Sequence, residues 1–388
     1  MNLAEFLLAK GTTLEQVVAI VQDQITLRPG DQLYVAGSLV EGLGNDTSDI
    51  DLFLVSERDI SLKQTGPAII MHCGRAAIDL ECWHPNQVKA LLDKVPSNVD
   101  VTTADHRPSL AWSVGDIERL HRLASFQLVW GEDRWLSTSF VDPSLLAQLV
   151  FSRCLAICDA VHIDLVGASR VNDLDQTLLL SNKLLGHCVD ALSAAFGQTN
   201  PAEKWRLARL RKVSALTSNE ASIRLDKLFL ELTAFDADAS HDRIRHSRRA
   251  LNFCNWIIPH SQRYFGSAQL WNAVNSLERL GLAGANEIFQ PMLRVRQDAG
   301  PELNVGSQIR WIHGELVLGA FAIDTVIIIG TATHRLLMRC NGRQSINQLA
   351  AWMTHDHKTN VGEMGLACED LFRTLQNCGL LEPGLSSP

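Results

Sequence analysis

Two aspartates separated by one apolar residue, Asp49-Ile50-Asp51, open the run DIDLFLV. On a strand, side chains two apart leave the same face, so Asp49 and Asp51 project together while Ile50 and Leu52 turn the other way into a core. Two carboxylates held that close repel each other and require a cation. Mg²⁺, or Mn²⁺ in its place, takes hard oxygen ligands and keeps positions open for water and phosphate oxygens, which suits such a pair. The reading puts the pair on a solvent-facing strand edge. A second acidic pair of the same spacing, Asp79 and Glu81 in AAIDLECW, again shares one face of a strand, and nothing in the spacing chooses between them. Upstream, Gly37-Ser38 follows the apolar run LYVA. The glycines at 37, 42 and 44 do not spell the dinucleotide fingerprint GxGxxG, and no GK[ST] is present, so those two phosphate loops are excluded.

The elements that must hold these residues read as an α/β opening. Thr12 and Glu15 have capping-box spacing before LEQVVAIVQDQI, whose Leu14, Val17, Val18, Val21 and Ile25 recur with helical period. Pro29-Gly30-Asp31 breaks that helix, and the β-rich segments QLYVAG, IDLFLV, PAIIMHC and AAIDLECW come next, separated by turn residues. From about residue 143 to 264 long helical runs take over. In one of them Leu174, Leu178, Leu185, Val189 and Leu192 form a stripe that Gly197 and Pro201 stop. Residues 266–306 read as a connector containing one helix. Beyond it, QIRWIHGELVLGAFAIDTVIII predicts a β-meander, followed by three short amphipathic helices. The expected division is 1–135, 136–265, the connector 266–306, and 307–388, in the α+β class.

The order of these motifs resembles the DNA polymerase β-like nucleotidyltransferase superfamily. Its signature is a Gly-Ser pair at a strand-to-helix turn, about ten residues, then Asp-hydrophobic-Asp-hydrophobic, as in GSLVEGLGNDTSDIDL here. The resemblance implies a mixed-sheet catalytic domain, an NTP co-substrate and Mg²⁺ or Mn²⁺. It implies that Gly37 and Ser38 bind the triphosphate, that Asp49 and Asp51 are metal ligands, and that Asp79 or Glu81 completes the catalytic set. Members with small acceptors often bind the nucleotide against a following helical domain. The basic start NPAEKWRLARLRK, with Lys204, Arg206, Arg209, Arg211 and Lys212, is placed to do so, Lys204 foremost; for any one of these residues a solvated helix face is the commoner role. The same holds for Arg245, Arg248 and Arg249. His72 and His84 flank the second acidic strand and are read as structural.

Residues 307–388 resemble the PqqD-like recognition domain for precursor peptides, a winged-helix-like module of three strands and three helices. The resemblance rests on the strands, Asn341-Gly342-Arg343 before a helix bearing Ile346 and Leu349, and a last helix ending at Gly379-Leu380-Leu381. It implies that a leader peptide adds as a strand beside Val326 and Ile328 and packs on Leu371 and Leu375. Thr325 to Ile329 is too continuously apolar for a strand with one face in water, so something should cover it. With six basic and seven acidic residues, this segment is not built for DNA.

The whole chain, 388 residues with a formal charge of -8, gives no general attraction to phosphate backbones or anionic membranes. Nine scattered cysteines without a CxxC pair point away from zinc and toward a reducing, cytoplasmic setting. The expected function is nucleotidyl transfer to a ribosomally made peptide. The alternatives are transfer to a small molecule of the aminoglycoside type, with a structural tail, or a catalytically silent peptide-binding scaffold.

Overall fold

The computed structural model describes residues 1–58, 60, 68–133, 141–215, 225–233, 240–277, 301–321, 323–340, 344–357 and 361–382. Most of the expected connector and the Asn341-Gly342-Arg343 turn lie outside the described residues. The architecture is mixed α+β, with a five-stranded mixed sheet, a separate three-stranded antiparallel sheet, and thirteen α-helices among the described residues. Two compact units divide it. One comprises residues 1–99, 112–150 and 199–209, and the other residues 100–111, 151–198 and 210–388.

In the first unit α1 (Leu3–Lys10) and α2 (Leu14–Gln24) precede the sheet. The capping box that starts α2 uses Thr13 and Gln16, one residue beyond the expected Thr12 and Glu15. Both pairs have the spacing. Thr12 instead turns its hydroxyl to the Gln16 side chain and to Cys73 Sγ, leaving the cap to its neighbour. The sheet contains β1 (Gln32–Ala36), β2 (Ile50–Val55), β3 (Ala68–Cys73) and β4 (Ala76–Trp83), with α3 (Pro85–Leu92) and α4 (Val114–Ser125) leading to β5 (Gln127–Trp130). The strand order is β3-β4-β2-β1-β5, so β2 is central rather than an edge strand. Among the described residues of this sheet, only the β2–β4 pair is parallel.

Alternation along these strands sorts their residues cleanly. Leu33, Val35, Ile50, Leu52, Leu54, Ile78 and Leu80 join Phe6, Val17, Val18 and Val21 of the two N-terminal helices in one buried core. Each such side chain contributes about 1.5–3 kcal/mol of burial, which fixes the register of β2 and β4. The opposite parity puts Asp51, Phe53, Asp79, Glu81 and Trp83 on the other face. There Phe53 packs between Trp83 and Phe126, with ring centroids 5.2 and 5.1 Å away.

Helix α5 (Pro143–Arg170) leads into the second unit, where α6 (Leu174–Ala195) buries Leu185, Val189 and Leu192 and half-buries Leu174 and Leu178. Gly197, at φ +80°, ends it. Beyond Pro201 comes a 3₁₀ turn at Glu203–Trp205, and α7 (Arg206–Ala215) begins after that. The Asn200 side chain sets this turn by accepting the Ala202 N–H at 3.0 Å. Then come α8 (Leu225–Thr233), α9 (Ser240–Arg263) and α10 (Gln269–Asn275).

A short ladder pairs β6 (Glu302–Leu303) with the last strand, β10 (Leu381–Glu382). Between them lie the expected meander, β7 (Ser307–Ile312), β8 (Glu315–Ala320) and β9 (Ile323–Ile328), and helices α11 (Thr331–Met338), α12 (Ile346–His357) and α13 (Val361–Asn377). Side chains of α9 close one edge of the meander. Asn255 bonds the Ser307 carbonyl and the Ile309 N–H, and Gln262 accepts the Trp311 N–H. Asp159 of α5 adds an ion pair to Arg310 at 2.6 Å. The other outer strand is β9, whose Val326 and Ile328 are 70% and 63% exposed. No described helix is long and apolar enough to cross a membrane.

Candidate metal centre

The chain leaves β1 at Ala36 and turns sharply at Gly37, where φ is +79°. A Cβ at Gly37 would lie 1.9 Å from Asp51 Oδ2, so both the backbone angle and the space demand glycine. Gly37-Ser38 opens a turn, closed by the Leu43 and Gly44 amides on the Ser38 carbonyl at 2.8 and 3.0 Å, and not the helix that the signature implies. Ser38 is buried at its base.

Asp49 is exposed immediately before β2, and Asp51 is half-buried within it. Parallel pairing aligns Asp51 with Asp79 and Phe53 with Glu81. Of the two acids of β4, Asp79 is the one that this register sets beside Asp51. One oxygen from each of Asp49, Asp51 and Asp79 lies within 4.8 Å of the others. Glu81, two residues further along β4, meets Arg122 of α4 instead, at 3.3 Å. The Arg122 guanidinium also approaches Asp51 at 3.7 Å and lies over the Phe53 ring, 5.1 Å from its centroid.

Crowding sets the electrostatics. Burial pushes the Asp51 carboxyl up to about 7; Arg122 opposes this, Asp49 and Asp79 reinforce it, and Lys204 opposes it. Burial and then Asp49 raise Asp79, against the pull of Arg122. Glu81 is raised by burial, with Arg122 again opposing. Asp79 Oδ1 is buried and has no hydrogen-bond partner among the described residues. An all-oxygen donor set, an orphaned carboxylate oxygen and acids held above their usual range are the features of a site that fits a hard divalent cation such as Mg²⁺ or Mn²⁺.

A cavity of about 280 Å³ opens over the three aspartates. Gly37, Ser38, Asp49, Asp51, Asp79 and Lys204 all line it, so the structure brings these sequence-derived candidates together. Among the other basic candidates, Arg206 lies 3.8 Å from Glu203, Arg209 is buried and donates to the Asn200 carbonyl, and Arg211 pairs with Asp226 at 3.3 Å. Lys212 belongs to α7, and Arg248 and Arg249 belong to α9. His72 is exposed, and His84 caps α3 through its ring Nδ1. Val326, Ile328, Leu371 and Leu375 belong to the second unit, where Leu371 is half-buried and Leu375 is inside the core.

Sequence reasoning missed several lining residues: Glu41, Glu118, His121, Arg122, Asn200 and Trp205. The available signal was the amphipathic run VGDIERLHRLAS after Ser113, which caps α4 through the Asp116 N–H. Nothing local marks Arg122 as the partner of a carboxylate 71 positions upstream.

No protein-family model matches the chain. No curated protein matches it either. Among solved structures it is similar to a nucleotidyltransferase-like protein from Exiguobacterium sibiricum 255-15. The TM-score is 0.31 and the identity 14%, over 70% of this chain and 80% of that one. A likeness of that size leaves the functional question to the side chains.

Proposed function

We propose that the chain is a divalent-metal-dependent nucleotidyltransferase that moves a nucleotidyl group from an NTP to a ribosomally made peptide. The observation that carries the reading is the meeting of three aspartate oxygens within 4.8 Å beside the Gly37-Ser38 turn. Asp49 and Asp51, joined by Asp79, would hold Mg²⁺ or Mn²⁺, which when bound neutralises phosphate oxygens and favours the ionised acceptor. Gly37 gives a phosphate close access to the backbone, and Ser38 adds a hydroxyl beside it. The acceptor oxygen bonds to the α-phosphorus as the bond to pyrophosphate breaks. Pyrophosphate leaves with the electron pair, and the acceptor proton passes to Asp79. Lys204 offers positive charge where the leaving group accumulates negative charge.

The peptide part of the reading is supported by the outer strand β9. Its exposed Val326 and Ile328 suit an extended leader peptide that pairs through its backbone and rests on Leu371. Leu375 is buried at 1% exposure, so its part is to support α13 from within.

The test is to supply each of the four NTPs, α-labelled, with Mg²⁺ and a candidate precursor peptide. Label should move to the peptide with equimolar pyrophosphate. Absence of pyrophosphate with all four removes the reading. Val326→Lys with Ile328→Lys should raise the apparent KM for peptide about tenfold while leaving NTP affinity and thermal stability unchanged. An unchanged peptide KM removes the peptide acceptor and leaves transfer to a small molecule.

A further inference from the structure

Three separate stretches of chain supply the walls of the cleft: the turn after β1, helix α4, and the segment Thr199–Trp205 that carries Lys204. A buried polar network joins all three. Glu41 of the turn accepts a hydrogen bond from Asn200 Nδ2 at 2.8 Å on Oε1. The same oxygen lies 2.9 Å from His121 Nε2 of α4, a close charge contact without hydrogen-bond geometry. The other ring nitrogen, His121 Nδ1, shares a hydrogen bond with Thr199 Oγ1 at 2.9 Å. Asn200 is fixed on its remaining sides, its Oδ1 holding the Ala202 N–H and its carbonyl accepting from buried Arg209. His121, Thr199 and Asn200 are each less than a tenth exposed.

Groups so thoroughly desolvated are costly to leave half-paired, so the network has few alternative arrangements. We infer that Glu41, His121, Thr199 and Asn200 are positioning residues for the nucleotide. They clamp the Thr199–Trp205 segment against the Gly37-Ser38 turn, so that Lys204 faces the aspartates before any ligand arrives. This rests on the nucleotidyltransferase reading, and it assigns part of the affinity for the triphosphate to residues that act through the placement of Lys204. Preorganisation of this kind acts on ligand affinity through the group it positions.

Two measurements on the full-length protein test it. Hydrogen exchange of the 199–205 amides should quicken at least about tenfold in Asn200→Ala, and in the milder Thr199→Val, with global unfolding temperature near wild type. Calorimetric titration with Mg²⁺ and ATP, GTP, CTP or UTP should show Asn200→Ala weakening the preferred nucleotide about tenfold. The Asn200→Ala/Lys204→Ala double variant should then bind within about twofold of Lys204→Ala alone. Unchanged exchange in both single variants overturns the clamp, whether or not a nucleotide binds. Losses that multiply in the double variant overturn the role assigned to Lys204. Wild-type protein that binds none of the four nucleotides, with exchange still quickened in the variants, overturns the nucleotide reading while leaving the clamp standing as architecture alone.

Discussion

Asp51 and Asp79 are register partners across the parallel β2–β4 pair of the five-stranded sheet. Because side chains on paired strands at matched positions share a face, this single alignment puts the two carboxylates side by side and sends Glu81 to Arg122. Asp79→Asn should therefore lower turnover at least about 100-fold while NTP binding persists. Glu81→Gln should cost no more than about tenfold, because it removes only one partner of Arg122. Steady-state pyrophosphate release together with nucleotide affinity makes the comparison. Equal, near-normal turnover in both variants would place the third carboxylate elsewhere.

Gly37 and Asp51 cannot both keep their places if Gly37 gains a methyl group. A Cβ would fall 1.9 Å from Asp51 Oδ2, and the residue would still have to hold φ at +79°. The left-handed angle alone costs about 1–2 kcal/mol, and displacing the carboxylate disrupts the aspartate cluster. Gly37→Ala should fold, with lowered thermal stability, and lose most metal-dependent turnover. Retention of wild-type activity would show that Asp51 is not held where the turn places it.

Acidity gives an independent handle. Burial holds the Asp51 carboxyl near 7 in the folded chain, against an ordinary value of 3.8. The folded form thus binds the proton more tightly than the unfolded form. Its contribution to the metal-free fold is present at acidic pH and is lost as pH rises through about 7. Thermal unfolding in a chelating buffer should show Asp51→Asn exceeding wild type by at least about 2 °C near pH 8 and by clearly less near pH 4.5, as the pH nears the ordinary value of 3.8. Added Mg²⁺ should close the gap at pH 8 by raising only the wild type. A gap of equal size at both pH values would deny that charge at Asp51 is the cause.

Much of this arrangement is legible in the sequence wherever it depends on local pattern. The first four strands, two of which present the acidic pairs, the helical stretch, and the meander with its three helices announce themselves by periodicity. Gly37 and the Asp49-Asp51 pair lie within fifteen residues of one another, a distance over which spacing carries geometry. Partnerships set by packing are not legible. The choice of Asp79 over Glu81 needs the β2–β4 register, Arg122 needs α4 laid on that face, and the Glu41–Asn200 bond joins residues 159 apart. β5 is only four residues long and half-exposed, too short for alternation to reveal. The pair reads as facing solvent, and the structure leaves Asp49 exposed but half-buries Asp51, because two acids in a row of apolar residues do not reveal what packs near their face.

The central claim is that the three aspartates are a divalent-cation site, and a Mn²⁺ titration followed by the resonance signal of the free ion tests it most directly. Wild-type protein should take up at least one ion per chain, more tightly when ATP is present. Asp51→Asn and Asp79→Asn, each folded by circular dichroism, should weaken that uptake at least about tenfold. Undiminished Mn²⁺ binding in both variants would contradict the account.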